Sequence, residues 1–81
     1  MNKEALTKLV MKDNDTVVLE KSRTKGPLGE TEIDTYIVLN SAGEKIGSVI
    51  HTDHTAIKGF ARTQTIEQYG LAGELLVRTS W

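Results

Sequence analysis

The densest cluster of chemically capable side chains in the chain is His51-Thr52-Asp53-His54. Two imidazoles and a carboxylate converging in a tight turn would offer three N/O ligands and an open position, the donor set of a catalytic zinc. The spacing argues against that. Residues three apart on a strand point to opposite faces, and no fourth ligand is evident. Asp53 and His54 are also ordinary turn formers, so the segment reads first as a turn over residues 52–55 and no metal ligand is assigned. Metal-assisted activity at this hairpin is kept only as a third functional reading.

Other catalytic constellations fare no better. A serine or threonine nucleophile needs a base and an orienting acid within hydrogen-bond reach. The only two histidines already lie in one short segment, and no nucleophile-elbow motif accompanies them. Gly26-Pro27-Leu28-Gly29 matches neither a phosphate-binding loop nor a dinucleotide fingerprint, and no helix follows to receive a phosphate. No cysteine is present to act as a thiol nucleophile, a zinc ligand or half of a disulfide. The expectation is a protein that is not an enzyme and carries no cofactor.

Lys21, Arg23 and Lys25, with Tyr36 and Phe60 expected on the same side of a sheet, suggest a stacking platform for single-stranded nucleic acid. Lys45, Lys58 and Arg62 would add positive charge there. Against this, Glu30, Glu32 and Asp34 are placed to neutralise the first three. Ten basic and eleven acidic side chains leave a net charge of −1, far from the strongly basic footprint of a duplex-DNA binder. Nucleic-acid binding is the alternative reading, not the leading one.

The elements that position these residues follow from length and pattern. Eighty-one residues make one small domain, 1–81, and 38% hydrophobic with 26% charged residues is too apolar for a disordered tail. The start Met1-Asn2-Lys3-Glu4-Ala5-Leu6 leads into no apolar run of signal-peptide or membrane-span length, which leads us to expect a cytoplasmic protein with no membrane partner. Asn2 as N-cap, Glu4 in the first turn, and Leu6, Leu9 and Val10 at helical spacing predict a helix over about 2–12.

Beyond Asp15 the chain reads as strand, with ten threonines and six each of valine and isoleucine. Turn signals at 26–29, 40–43, 52–55 and 70–73 leave connections too short for parallel crossovers. The expected fold is therefore α+β: an N-terminal helix on a five-stranded antiparallel meander, with strands about 16–25, 30–39, 44–51, 56–69 and 74–81. Gly47 and Gly59 permit curvature, so an open sheet and a partly closed one are both compatible with the pattern.

Register follows from charge. A loop at 26–29 sets Lys25 opposite Glu30, Arg23 opposite Glu32 and Lys21 opposite Asp34, with Leu19 opposite Tyr36 and Val17 opposite Val38. On the other side Ile37 would meet Ile46, and Ile33 would meet Ile50. Ile50 would in turn meet Ile57, and Ile46 would meet Ala61, with Phe60 and Tyr36 flanking Gly47. The isoleucine side, extended by Leu75, Val77 and Trp81, is expected under the helix. Leu19, Tyr36, Val49 and Phe60, with Lys58 and Arg62, would then form a second, uncovered surface. A partner-binding role follows for those six: a small regulatory or accessory protein, bacterial or phage in character, that binds another protein or pairs with itself as a homodimer.

Overall fold

A computed structural model describes residues 1–81. One helical turn, α1 (Lys3–Leu6), precedes five strands: β1 (Thr16–Lys25), β2 (Thr31–Leu39), β3 (Lys45–Thr55), β4 (Arg62–Gly70) and β5 (Leu75–Ser80). The strands lie side by side in chain order, and each neighbouring pair is antiparallel. The expected five-stranded antiparallel meander is therefore present. β1 and β5 do not meet, so the sheet is open and has two edges.

Two of the hairpins are built alike. In Asn40-Ser41-Ala42-Gly43 and Gly70-Leu71-Ala72-Gly73 the glycine at the fourth position adopts φ +78° and +85°, respectively. Its N–H bonds back to the carbonyl of the first residue, and a glutamate follows in each case. A left-handed residue closing the turn places an extra residue in the outgoing strand. That residue is Ile46 in β3 and Leu76 in β5, where the register shifts by one.

The helix expected over 2–12 is not formed beyond one turn. It begins as the sequence suggests: the Asn2 side chain accepts from the Ala5 N–H at 2.7 Å. It then tightens, with Lys8 and Leu9 donating three residues back, and opens out at Val10. There the Gln68 side-chain amide takes over both backbone groups of Val10, accepting its N–H at 2.8 Å and donating to its carbonyl at 2.9 Å. So short a helix gains little from its own hydrogen bonds, and a buried glutamine that bonds the extended chain outcompetes it. Residues 1–15 are better described as a strap.

The third turn is also displaced. β3 runs straight through 52–55, and the chain reverses at Ala56–Ala61, where the Ala56 N–H bonds to the Ala61 carbonyl at 2.8 Å. The reversal uses two consecutive left-handed residues, Gly59 at φ +84° and Phe60 at φ +58°. A bulky side chain is uncommon in that conformation, so Phe60 reads as a strand residue until the fold is known. The β3–β4 pairing shifts accordingly. Ile50 lies opposite Glu67 and Gly47 opposite Gly70, so neither Ile57 nor Ala61 meets an isoleucine of β3, and Phe60 is nowhere near Gly47. Gly47 is instead required by the β4 backbone, because a Cβ there would lie 2.3 Å from the Tyr69 carbonyl oxygen.

In the first hairpin Val17 faces Val38 and Leu19 faces Tyr36, as the pattern implies. The charge ladder does not form. Glu20 is an extra residue in β1, and beyond it Lys21, Arg23 and Lys25 lie opposite Thr35, Ile33 and Thr31. Between β2 and β3 the pairing slides by two residues, so Ile37 faces Ser48 and Ile33 faces Thr52. A slide of two keeps every side chain on its expected side.

Sides and cover are interchanged relative to expectation. The strap lies on the side that carries Tyr36, Val38, Val49 and Ile66, and Ala5 is fully buried against them. Met1, Leu9, Val17, Val77 and Trp81 pack around this small core. Val77 and Trp81 thus belong here and not with the isoleucines. The physical reason lies in the strap's own backbone. A segment with only one helical turn carries backbone polar groups that need partners. The isoleucine side offers the short hydroxyls of Thr35, Ser48, Thr52 and Thr65 but no carboxamide to bond the N–H and carbonyl of one residue together, as Gln68 does for Val10. The side chosen supplies Gln64 and Gln68, and no buried side-chain nitrogen or oxygen is left unsatisfied.

Candidate interaction surface

Residues directly opposite in an antiparallel sheet share a face, so the observed pairs define the uncovered side row by row. One row runs Val18, Ile37, Ser48, Tyr69 and Leu75. The next runs Lys21, Thr35, Ile50, Glu67 and Arg78. A third runs Arg23, Ile33, Thr52, Thr65 and Ser80. The centre of this open face is Ile33, Ile37 and Ile50 among threonines and Ser48, all partly exposed, while basic residues sit on the outer strands. No segment of the chain lies across it.

The chain exposes 5416 Å², whereas the usual scaling gives about 4,800 Å² for a monomer of 8.9 kDa. The radius of gyration is 13.5 Å, against about 11.7 Å for a compact chain of this length.

The six residues singled out from sequence do not form one surface. Tyr36 and Val49 are buried in the core beneath the strap. Leu19 is exposed on the outer strand β1. Lys58 and Phe60 sit in the β3–β4 turn, and Phe60 is 78% exposed. Arg62 begins β4 and grips Asp53, with Nε to Oδ1 at 2.9 Å and Nη2 to Oδ2 at 2.6 Å, the one ion pair in the molecule. This hydrogen bond, more than the accompanying charge attraction, holds the Asp53 carboxyl below its ordinary value against the opposing effect of partial burial.

The residues of the open face that sequence reasoning did not select are Ile33, Ile37, Ile50 and Tyr69. Their grouping on one side was legible for the isoleucines. The assignment missed because it gave the strap to that side. Gln64 and Gln68, alternating with Ile66, carried the contrary signal: two amides on a side otherwise rich in apolar residues.

The histidine segment supplies no ligand cluster. His51 and Asp53 share the strapped side, while His54 projects from the open one. His51 is buried, stacked on Trp81 with ring centroids 6.2 Å apart, and its Nε2 lies 3.0 Å from the Gln64 Oε1. His54 Nδ1 is paired with the Thr31 hydroxyl at 2.7 Å. Trp81 fastens the strap, since its indole N–H donates to Glu4 and the Lys8 ammonium lies 5.1 Å from its ring centre.

Burial raises the Tyr36 phenol above its ordinary value, with Asp34 and Glu32 adding to the effect. The Tyr69 hydroxyl, on the open face, donates to Glu67 at 2.8 Å, and that bond raises it too. At the far end of the sheet, Leu28, Ile57 and Phe60 border a shallow depression of about 200 Å³, below the roughly 300 Å³ at which ligand pockets begin.

No helix is long and apolar enough to cross a membrane. No family model matches the chain, and no significant match exists among curated proteins or solved structures.

Proposed function

We propose that this protein is a non-enzymatic interaction protein that pairs with a second copy of itself through the open face of its sheet. The observation that carries the reading is the isoleucine-centred side left without cover by a strap committed to the other side. Two such sheets stacked about 10 Å apart would enclose Ile33, Ile37 and Ile50 from both copies. A two-fold axis needs only this one self-complementary surface. The outer basic residues would remain at the rim, where solvent keeps them hydrated.

Light scattering on the size-exclusion peak tests the reading. The wild type is expected at about twice 8.9 kDa, and Ile50→Glu at the monomer mass with an intact melting transition. Phe60→Glu changes a residue of the turn, outside the open face, and should remain dimeric. A wild type that stays monomeric at the highest concentration reached overturns the reading, whatever the variants do.

A further inference from the structure

The outer edge of β1 is unoccupied along its whole length. No backbone hydrogen bond outside the β1–β2 ladder falls on Thr16–Lys25, and the strap lies on one face without pairing to this edge. Beyond the extra residue Glu20 the strand is regular for five residues. There Lys21, Arg23 and Lys25 project from the open side at every second position, about 7 Å apart. None of them has a carboxylate opposite; their neighbours on β2 are Thr35, Ile33 and Thr31.

The extra residue is what separates the charges. It turns the cations of β1 to the open side and leaves the acidic residues of β2 on the strapped one, where Asp34 accepts from the Ser22 hydroxyl and Glu32 faces Thr24. The chain thus spends its own acidic ladder elsewhere and leaves three cations in line on a free strand edge.

We propose that the Lys21–Lys25 edge of β1 docks an extended acidic segment of a partner protein. That segment adds as a sixth strand, with carboxylates at alternate positions beside Lys21, Arg23 and Lys25. Backbone hydrogen bonds along the edge supply affinity, and the alternating charges supply register and selectivity. The same cations turn away a second basic edge of this chain, because like charges on adjacent strands repel. They oppose edge-to-edge self-pairing while attracting an acidic strand, so the edge is a second surface that borders the self-association face, with its cations at that face's rim. A protein strand fits better than single-stranded nucleic acid. Tyr36 is buried, and Phe60, which borders a depression with Leu28 and Glu30 just past Lys25, is a single ring at one end of the row, so the three cations have no succession of aromatic rings for bases to stack on.

Fluorescence anisotropy with a labelled, end-capped peptide alternating glutamate with threonine and valine tests the proposal. The peptide should bind saturably, more weakly as salt is added, and Arg23→Glu should weaken it by about tenfold or more. A peptide of the same sequence with every backbone amide N-methylated keeps its charge but can donate no backbone hydrogen bond from either edge, and it should not bind. Absence of saturable binding by the acidic peptide overturns the proposal, and so does equal binding of the methylated peptide. Tighter binding of an oligothymidylate of equal charge would also overturn it, in favour of a nucleic-acid surface. These outcomes are independent of the molecular mass that tests self-association.

Discussion

Gly47→Ala is the sharpest probe of the register that turns Ile33, Ile37 and Ile50 outward. Gly47 is buried, and its backbone is not in the left-handed region, so any cost of a side chain there comes from space alone. The added methyl would lie 2.3 Å from the Tyr69 carbonyl oxygen and 3.6 Å from the Gly70 Cα. The first distance falls short of van der Waals contact by about 1 Å. The obstacle is backbone held in the β3–β4 ladder and cannot swing aside like a side chain. Overpacking of this kind costs roughly 1–3 kcal/mol. In a domain of this size that lowers the melting temperature by about 4–8 °C per kcal/mol, or about 8–16 °C for the middle of the range.

The control is Gly43→Asn. Gly43 sits at φ +78° with nothing within 4 Å of a Cβ, and asparagine tolerates that conformation. Thermal denaturation followed by circular dichroism reads both variants. If Gly47→Ala melts with the wild type, the Gly47–Gly70 pairing is wrong, and with it the assignment of the open face.

Two further outcomes follow from the β3–β4 hairpin. Asp53 has its carboxyl lowered from 3.8 by the Arg62 hydrogen bond, so the folded state binds that proton less readily than the unfolded one. The stabilisation is therefore complete above about pH 4 and disappears as pH falls through the lower folded value. Denaturation curves across the acid range should show Asp53→Asn losing this pH-dependent part, and parallel curves for variant and wild type would contradict the pairing. Phe60 combines φ +58° with 78% exposure, so it has a strained backbone and little packing to lose. Phe60→Asn is expected to raise stability by about 0.5–1 kcal/mol, and a lowered melting temperature would show that the ring is held by contacts of its own.

The sequence was informative wherever a local rule met no competitor. Asn2 capped the first turn, the glycine-closed turns at 40–43 and 70–73 fell in place, and Val17–Val38 and Leu19–Tyr36 paired as alternation required. It failed where a distant group intervened. The amphipathic spacing of Leu6, Leu9 and Val10 asked for a helix, but Gln68, far along the chain, bonds the Val10 backbone and ends it. The charges of β1 and β2 asked for a ladder, but one extra residue at Glu20 moved them to opposite faces.

The residues alone determined that this would be an antiparallel meander with apolar side chains on both faces, because strand periodicity and turn chemistry are local properties. Only the folded molecule decided which face would be covered. That choice depended on where the strap could find hydrogen-bond partners, Gln68 for the Val10 backbone and Gln64 for the Asn2 side chain, and the β3–β4 pairing holds both glutamines beneath it.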